Sequence, residues 1–231
     1  METIVNETFL AKRAKYARWG TLLGLGALFA GLLTAGQQQL LISYALLLVG
    51  LLAASVGSYM ANRYVREPRA DQRIAEALEA MDKRYVLYSY YLPSEQVLFS
   101  HQGFTVLEVR NQEGLVSYAD GRWNHKAGWR KIMNLFGEPS LGKPDQDLER
   151  EMGWVREWVD TFDPEQEIPV NGIIVFTNPN VTLDIEELDV PYAALDDLAG
   201  VIKAGLDSRP PLSTSKRREI RSMLDDMVTR A

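Results

Sequence analysis

Three carboxylates and one guanidinium are spaced along the chain in a way that suits metal-dependent hydrolysis of a phosphodiester. Glu95 and Glu108 lie on neighbouring candidate strands joined by a tight turn, and Asp71 lies in the candidate helix before them. Arg110 shares a sheet face with Glu108, because side chains alternate along a strand with a period of two. Carboxylates of this kind hold Mg²⁺ or Mn²⁺, and a cation steadies the nucleophile or the developing charge. The candidate metal ligands are Asp71, Glu95 and Glu108, and Arg110 completes the candidate catalytic set.

The same residues also allow a purely structural interpretation. Glu108 and Arg110 would then neutralise each other as a partly buried ion pair at a sheet edge. Arginine cannot be deprotonated to activate water, although its guanidinium binds phosphate in a forked geometry. Whether the chain is an enzyme is therefore left open at this point.

Hydrophobic periodicity predicts the elements that would position these residues. Apolar residues at helical spacing predict helices, whereas alternating or continuous apolar runs predict strands. The predicted helices cover residues 71–84, 148–162, 196–206 and 213–228, and the predicted strands cover 85–92, 97–100, 105–110, 114–118 and 172–177. Residues 123–136 are less regular. This order of elements favours one compact α/β sandwich.

The stretch from Glu95 to Gly114 resembles the core of nuclease-related (NERD) domains, which are similar to restriction-endonuclease folds. The usual pattern of that family is an acidic residue in the first helix, Ile-Asp-His opening a strand, a hairpin glycine, and then Glu-x-Lys-Asn-x-x-Gly. The positions that match are Asp71, Glu95, Gly103, Glu108, Arg110, Asn111 and Gly114. The chain departs from the pattern twice, with Glu instead of Asp at position 95 and Arg instead of Lys at position 110.

The resemblance extends over residues 66–205. It continues through residues 142–146, Gly-Lys-Pro-Asp-Gln, which are similar to an Asn-Pro-x-x-Gln segment heading a helix, and through the buried strand that follows. It implies a restriction-endonuclease-like α/β sandwich with a mixed sheet and a nuclease activity on nucleic acid that depends on Mg²⁺ or Mn²⁺. Bacterial members of the family also carry membrane hairpins ahead of the domain.

Two apolar stretches near the start of the sequence predict a transmembrane hairpin. Residues 19–36 and 40–61 contain no charged side chain, and only three glutamines separate them. A helix crosses a hydrocarbon core of roughly 30 Å with about 20 apolar residues. A cleaved signal peptide is the competing interpretation, but the second apolar run, followed at once by arginines, is typical of a stop-transfer segment.

Basic residues flank both apolar stretches and set the expected orientation. They are Lys12, Arg13, Lys15 and Arg18 before the first stretch and Arg63, Arg66 and Arg69 after the second. By the positive-inside bias, both termini are expected in the cytoplasm, with the protein in the plasma membrane. The small residues within the stretches recur at helix-contact spacing, which favours close packing of the hairpin.

Charge and composition limit the class of partner. The net charge is −6, but residues 70–231 alone carry 18 basic and 28 acidic side chains, a balance of −10. Such a domain lacks the basic face that supplies most non-specific affinity for nucleic acid, although a local groove would still bind. Residues 122–131 form a basic and aromatic segment, which would contact nucleic acid or lipid headgroups or would be a solvated loop. The chain has no cysteine, and its two histidines, His101 and His125, show no metal-ligand spacing.

Three regions and two functional hypotheses follow. The regions are the hairpin with its basic flanks (1–65), the nuclease-related domain (66–208) and a peripheral C-terminal helix (209–231), whose Lys216 to Arg221 cluster is expected to be solvated. The first hypothesis is a membrane-anchored, cytoplasm-facing metal-dependent phosphodiesterase with a degenerate site. The alternative is a membrane-tethered scaffold that recruits a protein or nucleic-acid partner without catalysis.

Overall fold

The computed structural model describes residues 1–37, 39–126, 140–162, 168–207 and 210–230. The chain divides into two compact units. The hairpin unit is built on residues 7–69, and the α/β unit is built on residues 1–6, 70–126 and the described residues from 141 onward.

The hairpin unit consists of two long apolar helices. Helix α1 covers Glu7–Gly36 and α2 covers Leu40–Tyr64, and both are long and apolar enough to cross a membrane. Neither contains proline, which would interrupt the backbone hydrogen bonds. Among the described residues, every exposed large hydrophobic side chain except Trp154 lies on one of these two helices. The predicted pair of apolar helices is confirmed.

Glycines allow the two helices to approach closely. A Cβ atom added at Gly24 would lie 2.4 Å from the backbone nitrogen of Ala54, and one added at Gly57 would lie 2.5 Å from that of Thr21. Each backbone therefore fills the space that a side chain would need. The close packing that the small residues predict is present, and it takes place between α1 and α2 of the same hairpin.

The α/β unit is built around a six-stranded mixed sheet in the order β1-β2-β3-β4-β7-β9. Strands β2, β3 and β4 form an antiparallel meander, while β1 pairs parallel to β2, β7 parallel to β4, and β9 parallel to β7. Their bounds are β1 Glu2–Val5, β2 Val86–Ser89, β3 Gln96–Ser100, β4 Gly103–Arg110, β7 Val170–Phe176 and β9 Tyr192–Ala194. The predicted mixed α/β class is confirmed.

A second sheet has three strands in the order β6-β5-β8. They are β5 Gly114–Ala119, β6 Arg122–Lys126 and β8 Val181–Ile185. Strand β5 turns into β6 at Asp120 and Gly121, which both have positive φ angles, of 52° and 72°. This left-handed backbone is where an Asp-Gly pair is favoured.

Helices cover both faces of the six-stranded sheet. They are α3 Ala70–Ala77, α4 Pro144–Asp160, α5 Leu195–Asp207 and α6 Thr214–Arg230. On one face, Phe104 and Val106 of β4 belong to the same core as Leu148 of α4 and Leu224 of α6. On the other face, Leu107 belongs to the core that contains Ile74 of α3 and Leu198 of α5. The period-two alternation of β4 thus sends even-numbered residues toward α4 and α6.

Some elements differ from the sequence-based expectation. The helix predicted for residues 71–84 ends at Ala77, because Glu79 and Met81 bond to carbonyls three residues back, in tighter turns that bury Leu78 and Met81. Strands β1, β8 and β9 were not predicted, and β6 falls in the segment described as less regular. All four are short, and their strand character depends on the partner strand beside them.

Candidate functional site

The candidate site lies at the end of β4, where Glu108 and Arg110 face α4. Both residues occupy even-numbered positions of β4, as Phe104 and Val106 do, so their side chains point to the same side of the sheet. Glu108 is 5% exposed, and the Arg110 side chain is 12% exposed. Nη1 of Arg110 donates a hydrogen bond to Oε1 of Glu108 within an ion pair. The pairing of Glu108 with Arg110 is confirmed, but β4 is an interior strand and not a sheet edge.

Arg110 is held by further partners on three sides. Its Nη2 donates to Oδ2 of Asp147 at 2.5 Å, and its Nε donates to the Leu141 carbonyl at 3.1 Å. Its Nη1 also donates to the Val109 carbonyl at 3.2 Å. Together with the bond to Glu108, these contacts occupy four of the five N–H groups that a guanidinium offers. The arginine is therefore a bridge between β4 and the first turn of α4.

The Glu108 carboxyl also lies close to the carboxyl group of Glu151. Burial raises the pKa of the Glu108 carboxyl to about 8, and hydrogen bonding and charge from Glu151 of α4 also raise it, whereas Arg110 lowers it. Oε2 of Glu151 accepts a hydrogen bond from the Ser94 hydroxyl at 2.6 Å. Burial and the Glu151 carboxyl therefore both favour the protonated form of Glu108.

Helix α4 positions Asp147 and Glu151 from the far side of the site. It opens with Pro144 in its first turn, a position where the missing N–H has no helical partner. Asp147 and Glu151 are four residues apart and so lie on one helix face, beside the buried Leu148. Neither residue was predicted from the sequence. The available signal was their helical spacing next to an apolar stripe, but it does not reveal which strand the helix covers.

Asp71 lies in the first turn of α3 and is 1% exposed. The Tyr90 hydroxyl donates to Oδ1 of Asp71 at 3.4 Å, and the Tyr90 backbone N–H donates to the Glu95 carbonyl at 2.7 Å. Tyr90 has a positive φ of 65°, which is strained for a tyrosine. Tyr90 thus contacts both Asp71 and Glu95, two of the predicted site residues.

Glu95 is half-buried and immediately precedes β3. Val97 of β3 pairs with Val106 of β4. Continuing this register by two residues sets Glu95 opposite Glu108, as expected for two residues on one sheet face.

The turn between β3 and β4 needs a glycine at position 103. Gly103 has a φ of 114°, and a Cβ added there would lie 2.3 Å from the Pro169 carbonyl oxygen.

The arrangement around Glu108 does not suit a divalent cation. Arg110 already occupies oxygen atoms of Glu108 and Asp147, and the raised pKa of Glu108 disfavours the charged form that a cation would need. A hard cation needs several free carboxylate or carbonyl oxygens converging on one point. Among the residues that the structure describes, no group of three His, Asp or Glu side chains could hold a metal ion. A site formed by Asp71, Glu95 and Glu108 stays a prediction.

Arg73 connects the ends of β4 and β7 beside the site. Its Nη1 donates to the Thr177 carbonyl at 2.8 Å and to Oδ1 of Asn111 at 3.1 Å. The Thr177 backbone N–H donates to the Arg110 carbonyl at 2.8 Å. Asn111, which matches an asparagine of the nuclease-related pattern, is therefore held by neighbouring protein groups.

The other polar and aromatic candidates are engaged within the fold. Nε1 of Trp123 donates to Asp145 at 2.9 Å, and Nε2 of His125 lies 2.8 Å from the Glu113 carbonyl oxygen. Helical spacing predicts both Trp154 and Trp158 in the core; Trp158 packs against the core on the α4 side, but Trp154 is 45% exposed, so its predicted burial is wrong. The remaining residues of the basic and aromatic segment, 127–131, lie outside the described residues.

The C-terminal basic cluster is partly paired. Lys216 forms an ion pair with Glu219 at 3.2 Å, and Arg221 forms one with Glu2 of β1 at 2.8 Å. Ile220 and Leu224 of the same helix are buried in the core on the α4 side. Helix α6 thus anchors β1 as well as covering the sheet.

Comparison with known proteins provides no further identification. No family model matches the chain, and no curated protein or solved structure matches it either.

Proposed function

We propose that this chain is a membrane-anchored, cytoplasm-facing domain of nuclease-related architecture that acts as a non-hydrolytic binding module. The observation that carries this proposal is the position of Arg110, which bridges Glu108 and Asp147 and leaves neither carboxylate free. The module recruits a protein or nucleic-acid partner to the membrane.

Membrane anchoring is supported by the surface of the hairpin unit. The exposed fraction is 86% for Leu41 and 67% for Leu32, which in water would expose a large apolar surface. Neither apolar stretch contains a charge, and the arginines and lysines lie at the ends. The positive-inside bias then places both termini, and the α/β unit with them, in the cytoplasm.

Nuclease-related ancestry is supported by the order of elements around the site. A helix, a three-stranded meander, a second helix and a parallel buried strand follow one another from α3 to β7. Glu108 and Arg110 share a face at the end of the third strand of this series, in agreement with the Glu-x-Lys pattern that the sequence resembles. The hairpin glycine, Gly103, has a backbone conformation that favours glycine.

Loss of hydrolysis is supported by the chemistry of the arginine. A guanidinium stays protonated at any physiological pH and so cannot act as a base. The Arg110 side chain is also only 12% exposed, and four of its five N–H groups bond to neighbouring oxygen atoms, so it offers little to a phosphate. The cluster is best explained as a structural bridge.

An active nuclease that depends on Mg²⁺ or Mn²⁺ is the second candidate, because one observation favours it. The register of β3 and β4 sets Glu95 opposite Glu108, as a two-carboxylate site would require. A substrate phosphate would then have to displace Arg110 from Asp147.

Cleavage assays on the full-length chain in lipid nanodiscs separate the two candidates. Labelled single- and double-stranded DNA and RNA are incubated with Mg²⁺ or Mn²⁺ and with wild type, Glu108→Gln or Arg110→Lys. Wild type and Glu108→Gln are expected to show the same background cleavage. Cleavage by wild type that Glu108→Gln abolishes would establish the nuclease and refute the binding module. The full chain is needed because β1 precedes the hairpin and belongs to the α/β sheet.

A further inference from the structure

The basic side chains at the start of α1 fall into two structurally different groups. In the first group, the Arg13 guanidinium lies 4.8 Å from the ring centre of Phe9 and 5.8 Å from that of Tyr64. Arg63 donates to the Tyr59 hydroxyl at 3.2 Å and lies 5.9 Å from the Tyr64 ring centre. Arg13 thus ties α1 to α2 through an aromatic ring, whereas Arg63 contacts rings of its own helix, and the role of both is structural.

The second group consists of two exposed side chains, Lys15 and Arg18. Lys15 and Arg18 are three residues apart on α1 and so lie side by side on the helix surface. They line a cleft of about 420 Å³ together with Ala11, Ala14 and Trp19. Because Ala11 and Ala14 have short side chains, they leave space beside Lys15, Arg18 and Trp19.

No carboxylate of the described chain compensates these two charges. Neither Lys15 nor Arg18 forms an ion pair within the described residues, and the sequence contains no acidic residue between Glu7 and Glu67. The cleft therefore carries two positive charges next to the first residue of the charge-free stretch, Trp19. A tryptophan at such a boundary lies at the depth of the lipid headgroups.

We propose that this cleft binds the headgroup of an anionic phospholipid of the cytoplasmic leaflet. Lys15 and Arg18 contact the phosphate, and the Trp19 indole packs against the glycerol and upper acyl region. A phosphodiester fits because it supplies the missing negative charge and several acceptor oxygens, and a guanidinium binds such oxygens in a fork. The inference rests on the membrane anchoring proposed above.

A local site and a diffuse positive field make different predictions. A field that attracts anionic lipid to all the basic flanks weakens equally when any two exposed charges are removed. If the lipid binds at the cleft, the preference for anionic lipid falls when Lys15 and Arg18 are removed, but it is kept when two basic residues outside the cleft are removed. Lys12 and Arg66 are exposed basic residues of the same unit that do not line the cleft, so they provide a matched control.

Quenching of Trp19 by brominated lipid tests the proposal on the full-length chain. The protein is reconstituted into bilayers of phosphatidylcholine and phosphatidylglycerol in which one lipid at a time carries brominated acyl chains. The ratio of quenching by the two brominated lipids reports which lipid is next to Trp19. Trp19→Phe identifies the background from the tryptophans of the α/β unit.

Wild type is expected to favour phosphatidylglycerol by roughly 30-fold, since two basic residues near a membrane together contribute on the order of 2 kcal/mol. Lys15→Gln/Arg18→Gln is expected to abolish the preference, and Lys12→Gln/Arg66→Gln is expected to keep most of it. Ala11→Leu/Ala14→Leu, which fills the cleft but retains both charges, is expected to lower the preference as well.

Two results would overturn the proposal. One is an equal loss of preference in Lys15→Gln/Arg18→Gln and Lys12→Gln/Arg66→Gln, and the other is no preference in wild type despite quenching by both lipids. Absence of quenching by either lipid would show that α1 does not enter the bilayer. That result would refute the membrane anchoring on which both proposals depend.

Discussion

Arg110 and Asp147 are joined by a hydrogen bond of 2.5 Å from Nη2 to Oδ2, which ties the end of β4 to the first turn of α4. Glu108 accepts another bond from the same guanidinium. One guanidinium therefore links two acidic side chains on two elements that are far apart in sequence. The stability of the α/β unit should depend on this bridge.

Arg110→Met is expected to destabilise the α/β unit by about 3–5 kcal/mol, because it leaves the buried Glu108 side chain and the Leu141 carbonyl without the guanidinium that hydrogen-bonds them. Arg150→Met is the control. Arg150 also bonds Asp147 at 2.5 Å, but its side chain is 57% exposed, so a loss of at most about 1 kcal/mol is expected. Chemical denaturation followed by tryptophan fluorescence measures both, and equal losses would refute a special role for Arg110.

Stability is expected to fall between pH 5 and pH 8. Burial raises the pKa of Glu108 from 4.5 to about 8, so within this window the folded chain holds a proton that the unfolded chain releases. The free energy of unfolding then decreases as pH rises. Glu108→Gln mimics the protonated group and should remove this contribution, leaving the variant more stable than wild type above pH 8.

Thermal unfolding at pH 5, 6, 7 and 8.5 measures the effect of Glu108. A difference of on the order of 5 °C in Tm is expected between wild type and Glu108→Gln at pH 8.5, since 1 kcal/mol corresponds to roughly 2–4 °C in a protein of this size. Glu157→Gln, at an exposed position of α4, is the control. Identical pH profiles for wild type and Glu108→Gln would contradict the prediction.

Gly24→Leu is expected to separate α1 from α2. A Cβ at Gly24 would lie 2.4 Å from the Ala54 nitrogen, and a backbone atom cannot move aside alone. Gly26→Leu is a matched control on the same helix, because a Cβ there meets nothing within 4 Å. Hydrogen exchange of amides of α2 in lipid nanodiscs should accelerate by on the order of tenfold for Gly24→Leu, as for a loss of about 1.4 kcal/mol. If hydrogen exchange does not accelerate, or accelerates equally in both variants, the stability of the hairpin does not depend on the close approach of α1 to α2 at Gly24.

Ile4→Pro is expected to weaken the α/β unit through the loss of β1. Ile4 pairs with Tyr88 of β2 and packs against the core on the α4 side. Proline cannot donate a backbone hydrogen bond and disrupts strand pairing. A loss of about 2–3 kcal/mol is expected from the broken pairing and core contact. Thr3→Ser, at an exposed position of the same strand, should remain close to wild type in the same denaturation experiment.

Much of the architecture could be predicted from the sequence because it depends on local patterns. The two charge-free stretches predict α1 and α2 by length alone, and the continuous apolar run of β7 is typical of a strand buried on both faces. The pairing of Glu108 with Arg110 follows from strand alternation. Each of these features is determined by residues adjacent or nearly adjacent in the chain.

The tertiary structure alone decided which distant residues complete the site. Glu2–Val5 looks unremarkable in the sequence and becomes β1 only because the edge of β2 offers hydrogen bonds. Asp147 and Glu151 are ordinary helix charges until α4 packs over β4, where they meet Arg110 and Glu108. The physical reason is that burial and charge neutralisation depend on contacts across the fold. The pairing of Glu108 with Arg110 was thus predictable, whereas the contact of Arg110 with Asp147 and that of Glu108 with Glu151 were not.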